Sequence, residues 1–164
     1  MKGNREKNFL IVGVGNVFRG DDAVGILIAR FLKRCFKENV KIIGVETSFD
    51  ELIQFFGDYD LIIFIDAIKS GEKPGKIYRL KFGVDKIPAQ LEFFSTHSVG
   101  LIEYIEIAKA LGKLPKELII YGIVGKDFDV GSSISSEVRV SCKEIIREIL
   151  ASSIVPFSST LYLW

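Results

Sequence analysis

Three short segments of this sequence carry side chains that could bind a cation or activate water. Asp21 and Asp22 lie in the loop GVGNVFRGDDAVG, Asp66 closes the apolar run LIIFIDA, and His97, the only histidine, lies in FFSTHSVG. Two carboxylates and one imidazole suit a divalent first-row metal such as zinc, nickel, iron or manganese. The residue types therefore indicate a metal site with open coordination positions, with Asp22, Asp66 and His97 as its candidate ligands.

Each of these residues also has a purely structural explanation. Asp21 or Asp22 could cap a helix, and Asp66 could begin a turn. His97 could simply precede a helix. Of the two adjacent aspartates, Asp21 is the better candidate for a helix cap and Asp22 for a ligand. A functional site is favoured over separate structural roles, because three separate segments of the chain would bring these three side chains to one place.

The elements that would position these side chains alternate along the chain. Apolar runs predict strands at 9–14, 40–45, 61–67, 77–82 and 117–125, and helical spacing of apolar residues predicts helices at 22–36, 48–56, 98–112 and 135–150. This order predicts an α/β three-layer sandwich, with helices on both faces of a mainly parallel, twisted, five-stranded sheet. Charged and apolar residues alternate in 77–82, which is typical of an antiparallel edge strand.

In such a sheet, ligands bind beyond the carboxyl ends of the parallel strands. The predicted strands bring Asp22 and Asp66 to that edge, and His97 precedes a helix that starts there. The same edge would also receive Glu46 and Thr47 after the second strand, and Asp127 and Asp129 after the last. We therefore expect the acidic residues and the imidazole to converge.

Composition limits the classes of function. The chain has 164 residues, enough for one domain with a core at about 8–150, and 22 basic against 21 acidic residues, which does not favour nucleic-acid binding. No apolar run approaches about 18 residues, so we expect no membrane segment and a cytoplasmic protein. Cys35 and Cys142 lack the spacing of a zinc or redox motif, and Cys35 is predicted to be buried. The apolar tail 151–164 could pack on the domain, contact a partner or stay loose.

Two other classes of protein share parts of this pattern. A dinucleotide-binding loop needs G-x-G-x-x-G, but Phe18 occupies the third position, and no G-K-[ST] is present for a P-loop. Acidic residues at the helix start would also repel a pyrophosphate. A response-regulator receiver fits poorly, because the acidic pair follows the strand across a glycine loop and Lys126 follows a glycine.

The four segments GVGNVFRGDDAVG, LIIFIDAIKSGEKPG, STHSVGL and YGIVGKDFDVGSSIS, in this order, resemble the hydrogenase maturation endopeptidases. The resemblance covers about residues 8–150. It implies a twisted mixed sheet between helices. It also implies a metal-binding and catalytic trio, which by matching motifs is Asp22, Asp66 and His97. Where the family usually has a glycine-threonine turn, this chain has Glu46 and Thr47.

The resemblance implies removal of a short C-terminal extension from the large-subunit precursor of a nickel-iron hydrogenase. The trio would engage nickel carried by the precursor, so no tightly bound metal of its own is expected. The family is grouped with aspartic peptidases, although the sequence does not suggest two carboxylates that share a proton. The expected partner is the precursor, with no nucleic acid or membrane, and the protease is expected to be a monomer. The alternative function is a non-catalytic metal- or partner-binding module on the same scaffold.

Overall fold

A computed structural model of the chain describes residues 7–36, 40–46, 48–93 and 100–152. Its helices and strands follow the predicted alternation: β1 Phe9–Val14, α1 Val24–Leu32, β2 Val40–Val45, α2 Asp50–Ile53, β3 Leu61–Lys69, β4 Ile77–Lys81, β5 Glu92–Phe93, α3 Leu101–Ala110, β6 Glu117–Val124 and α4 Ser136–Ala151. Short 3-10 helices at Gly20–Ala23 and Phe56–Asp58 precede α1 and β3.

The sheet has the strand order β2-β1-β3-β6-β4, and β5 pairs with β3 outside this path. The pairs β1–β2, β1–β3 and β3–β6 are parallel, and β4 is an antiparallel edge strand on β6, as predicted. The described part has six strands rather than the predicted five. The extra strand, β5, pairs with β3 at only two positions, and a two-residue strand is too short to leave a pattern in the sequence.

The helices cover both faces of the sheet and confirm the three layers. α1 and α4 pack on one face over a core that includes Ile11, Ile63 and Ile145. α2 and α3 pack on the other face over a second core that includes Phe49, Phe64 and Ile105. Apolar residues of β3 alternate between the two cores, because successive side chains of a strand point to opposite faces. No helix in the described residues is long and apolar enough to cross a membrane.

Several element boundaries differ from the sequence predictions. α1 ends at Leu32 and not at residue 36, and α2 spans only Asp50–Ile53 of the predicted 48–56. The helix expected from Asp22 begins as a 3-10 helix and becomes α-helical only at Val24. β3 was expected to end near Asp66, but it continues to Lys69, because β6 stays paired with it as far as Ile68. Asp66 therefore lies within a strand and does not terminate it. Cys35 is buried, as predicted.

Candidate active site

Asp22 and Asp66 lie where the connections of the sheet change direction. From β1 the chain passes through α1 to β2 on one side, and then through α2 to β3 on the other side of β1. α1 and α2 cover opposite faces of the sheet. The segments that follow the carboxyl ends of β1 and β3 therefore separate and leave a crevice between them, which is the usual ligand position in this kind of fold. Asp22 follows β1, and Asp66 belongs to β3.

Among the described residues, β3 has a gap along one edge beside Asp66. β6 pairs with one edge of β3 from Leu61 to Ile68. On the other edge, β1 pairs with β3 only as far as Ile65, and β5 begins to pair at Ile68. Within the part of the chain that the structure describes, Asp66 and Ala67 therefore have no strand partner on that edge, and Asp66 occupies the position where β1 has turned away.

The glycines of the loop let the polypeptide approach the sheet closely enough to place Asp22 at this gap. Gly15 has φ 139°, a conformation that side chains disfavour, and its Cα faces Asp22 so closely that a Cβ there would overlap the Asp22 backbone. A Cβ on Gly25 would overlap the carbonyl oxygens of Val14 and Ile65. The Asn16 N–H donates to the Asp22 carbonyl at 3.2 Å and closes the loop.

Both carboxyl groups are fully buried, with 0 % exposure, and none of their four oxygens has a hydrogen-bond partner among the described residues. Burial raises the pKa of Asp22 from 3.8 to about 6, and the positive charge of Arg19, the nearby backbone N–H of Asn16 and the charge of Lys69 offset part of this increase. The Asn16 N–H lies near the carboxylate without forming a hydrogen bond of good geometry. Burial, followed by the negative charge of Asp22, raises the pKa of Asp66 well above its usual value. An ionised carboxylate in such a place needs a counter-charge, so the pair is suited to hold either protons or a cation.

The two carboxyls also act on each other, because the negative charge of Asp22 contributes to the raised pKa of Asp66. This coupling brings together two segments that are far apart in the sequence, as expected from the strand order. Whether the pair shares a proton is not tested by this arrangement, and the expectation that it does not stays a prediction.

Two cations near Asp22 were missed by the sequence analysis. The Arg19 Nε donates to the Phe128 carbonyl at 3.2 Å, and the Lys69 Nζ lies 5.0 Å from the centre of the Phe128 ring. Both positive charges act on Asp22. Arg19 shares the loop of Asp22, so its position was visible in the sequence, whereas Lys69 became relevant only because β3 continues beyond Asp66.

Asp21 is equally buried but has a different environment. Its Oδ2 accepts hydrogen bonds from the N–H groups of Lys126 at 2.7 Å and Asp127 at 3.0 Å, and its Oδ1 accepts one from the Ser135 N–H at 2.7 Å. The Ser135 hydroxyl donates to the same carboxylate. Asp21 makes no side-chain cap to its own helix. It was expected to cap that helix, and instead it fixes the β6–α4 loop and the residue that precedes α4.

The remaining candidates are not part of this pair. Glu46 is exposed at the end of β2. The Asp127 carboxylate accepts the Asp129 N–H at 2.9 Å within its own loop. His97 and Thr47 lie outside the described residues. Among the residues that the structure describes, no group of three or more His, Cys, Asp or Glu side chains could hold a metal.

The chain is similar to known hydrogenase maturation proteases over most of its length. The family model described as hydrogenase maturation protease matches residues 26–152, a range that contains Asp66 and His97 and begins just after Asp22. Hydrogenase 2 maturation protease of Escherichia coli is 26% identical over 147 residues, which cover 87% of this chain and 88% of the relative.

Solved structures show the same similarity. The nickel-iron hydrogenase maturation protease HybD from Thermococcus kodakarensis superposes with a TM-score of 0.67 and is 29% identical, covering 88% of this chain and 99% of that one. The hydrogenase maturating endopeptidase HybD of Escherichia coli has a TM-score of 0.71 at 24% identity, covering 88% and 90%. The latter similarity concerns the fold.

Proposed function

We propose that this chain, which belongs to the family of hydrogenase maturation proteases and is therefore a peptidase, removes a short C-terminal extension from the large-subunit precursor of a nickel-iron hydrogenase. Nickel in the precursor serves as the recognition element. Family membership argues against the alternative of a non-catalytic binding module. The observation that supports this proposal most is the pair of buried carboxyls, Asp22 and Asp66, without hydrogen-bond partners among the described residues.

The nickel would enter as part of the substrate. A buried carboxylate pair is costly to ionise without a cation, and a divalent ion carried by the precursor supplies the missing charge when the substrate binds. A precursor without nickel brings no such charge, so the pair discriminates between loaded and empty precursors. On this proposal the protease holds no metal of its own between turnovers.

His97 would be the third ligand. The segment that contains it connects β5 to α3, and both of these elements contact the part of β3 that carries Asp66. Phe93 of β5 pairs with Ile68, two residues beyond Asp66. Leu101 of α3 packs in the same core as Phe64 and Ile68. Three residues lie between Phe93 and His97, so the two Cα atoms are at most about 14 Å apart, which is consistent with an imidazole at the pair.

One of the two carboxylates would act as general base in hydrolysis. Water adds to the carbonyl carbon of the scissile bond, and its proton passes to Asp22 or Asp66 and then to the departing amine. The products are a new C-terminal carboxylate and a free amino group.

The test is to incubate the protein with a large-subunit precursor that carries a C-terminal extension, in nickel-loaded and nickel-free form, and to measure product masses. We expect truncation of the loaded form only. Asp22→Ala combined with His97→Ala should abolish it, whereas Glu46→Gln, which changes an exposed acid after β2, should cleave normally. Cleavage by the double variant would refute the site, and cleavage of the nickel-free precursor would refute the role of nickel.

A further inference from the structure

β2 is an edge strand of the sheet. It pairs with β1 over its whole length, Val40–Val45, and within the described residues it has no second partner. The Gly15 N–H donates to the Val45 carbonyl at 3.1 Å, so the backbone groups of Val45 point toward β1. Because these groups point to opposite sides at successive residues of a strand, the N–H and carbonyl groups of Ile42 and Gly44 point away from β1. They form a row with which another extended strand can pair.

A groove borders this open edge on each face of the sheet. On the face covered by α1, a groove of about 380 Å³ lies between Arg30 of α1 and Ile42 of β2. On the face covered by α2, a groove of about 480 Å³ lies between Leu52 of α2 and Val45 of β2. Gly44, which has no side chain, borders both. Side chains of an added strand point alternately to the two faces, so each set has a groove to enter.

The two grooves differ in charge. Arg30 and Lys33 line the groove beside α1, and both residues are exposed. Asp50 and Glu51 line the groove beside α2. Glu46 borders both and therefore does not distinguish them. In the part of the chain that the structure describes, Arg30, Lys33 and Glu51 form no ion pair. An added strand with acidic side chains toward α1 and basic side chains toward α2 would therefore complement both grooves.

The same charges disfavour the pairing of β2 with β2 of a second copy. Two copies related by a two-fold axis pair their edge strands antiparallel and keep each helix layer on the same side of the joined sheet. Arg30, which lines the same groove as Ile42 near the middle of β2, would then face Arg30 of the other copy. Like charges beside an open edge protect it from self-association. The expected occupant is therefore a strand of another protein.

β2 ends close to the loop that carries Asp22. The hydrogen bond between Gly15 and Val45 joins that loop to the end of β2. Neighbouring strands lie about 4.8 Å apart, so a strand added to β2 would lie about 10 Å from β1. Four extended residues span about 13 Å, which is enough to cross the end of β1 toward Asp22. A polypeptide paired with β2 can therefore continue into the candidate active site.

We propose that β2 binds an extended segment of the large-subunit precursor as an additional strand of the sheet. Backbone hydrogen bonds to Ile42 and Gly44 hold the segment, and the grooves favour acidic side chains toward α1 and basic side chains toward α2. The identity of the partner rests on the proposed function. In this arrangement the acid pair recognises the nickel, and β2 holds the polypeptide next to the scissile bond.

Gly44 permits a matched pair of substitutions. Gly44→Pro removes an outward N–H and places a ring on the open edge. Gly44→Ala keeps the N–H, and its Cβ would lie 3.5 Å from the nearest atom of the Ile26 side chain, an ordinary contact. In single-turnover cleavage of the nickel-loaded precursor, Gly44→Pro should require a protease concentration about tenfold higher than Gly44→Ala for half the maximal rate, as expected for about two lost hydrogen bonds. The maximal rate should fall by much less, because the acid pair is intact.

Charge reversal tests the groove beside α1 without altering β2, and it remains informative where proline impairs folding. Arg30→Glu should raise the half-maximal protease concentration several-fold, because it repels the acidic side chains of the added strand. Arg34→Glu is the matched control. Arg34 is exposed just beyond α1 and lines neither groove, so this variant should behave like the unmodified protein.

Amide hydrogen exchange followed by NMR detects the added strand directly. In the free protein, the amides of Ile42 and Gly44 should exchange rapidly and those of Ile43 and Val45 slowly, because only the latter two point toward β1. Nickel-loaded precursor, added to Asp22→Asn so that cleavage is slow, should slow the exchange at Ile42 and Gly44.

Three results would overturn this inference and leave the proposed function intact. The first is an equal effect of the two variants in either pair, and the second is rapid exchange at Ile42 and Gly44 in the complex. The third is slow exchange at these amides in the free protein, which would mean that the chain itself or a second copy already covers the edge. Failure of the proposed function has a different signature, because the unmodified protein would then not cleave the loaded precursor at any concentration, and the partner assigned to β2 would be wrong as well.

Discussion

Asp21 and Asp22 are neighbours in the sequence and equally buried, yet their environments are opposite. The Asp21 carboxylate accepts hydrogen bonds from three backbone N–H groups and one hydroxyl of the β6–α4 loop. The Asp22 carboxylate accepts none among the described residues and faces a second unpartnered acid, Asp66. Burial alone therefore does not distinguish structural from functional acids. The distinction lies in whether the folded chain supplies the hydrogen bonds that water provided before folding.

The largest difference between the two residues should appear in catalysis. Asp22→Asn keeps the shape of the side chain but cannot accept a proton or bind nickel as an anion. We expect single-turnover cleavage of the nickel-loaded precursor to slow by about 10²- to 10⁴-fold, the usual contribution of a general base. Mass spectrometry of the product over time measures it. Near-normal cleavage by this variant would show that Asp22 does not take part in the reaction.

The next largest effect concerns stability, and here substitution of Asp21 should have a larger effect than substitution of Asp22. Asp21→Ala leaves three partly buried N–H groups and a hydroxyl without their acceptor, so we expect the free energy of unfolding to fall by about 3 kcal/mol. Urea denaturation followed by circular dichroism measures this change. Asp22→Asn is the matched control and should not destabilise the protein at neutral pH. Equal losses in the two variants would contradict the distinction drawn between the residues.

The raised pKa of Asp22 predicts a pH dependence with a definite sign. Since its pKa is 3.8 when exposed and about 6 in the folded protein, the unfolded chain releases this proton first. The stabilising effect of the proton is complete below about pH 4 and is lost as the pH rises through about 6. In metal-free protein at pH 8, Asp22→Asn should therefore be more stable than the unmodified chain by up to about 3 kcal/mol.

Urea denaturation of both proteins between pH 4 and pH 8 tests this prediction. The two should differ least at the acidic end, where both carry a neutral side chain at position 22. A difference that is independent of pH would mean that the amide changes packing and that the charge is irrelevant.

The comparison also explains what could be predicted from the sequence. The sheet, its edge strand β4 and the positions of Asp22 and Asp66 at the carboxyl edge follow from apolar periodicity and from the rules of parallel sheets. The hydrogen bonds of Asp21 could not be predicted, because their donors lie more than a hundred residues away in a loop without periodicity. The extension of β3 beyond Asp66 was missed for a similar reason, since it depends on pairing with β6.

The smallest expected effect concerns the two positive charges, of Arg19 and Lys69, that act on Asp22. The positive charge of Lys69 lowers the pKa of Asp22 in opposition to burial. Lys69→Gln should therefore raise this pKa further, and the pH at which metal-free protein loses stability should move upward. NMR titration of the Asp22 carboxyl carbon measures the change. Lys116→Gln is the control, because Lys116 pairs with Asp60 at the opposite edge of the sheet. An equal response to both substitutions would mean that Asp22 responds to the net charge of the protein, and the specific role of Lys69 would be refuted.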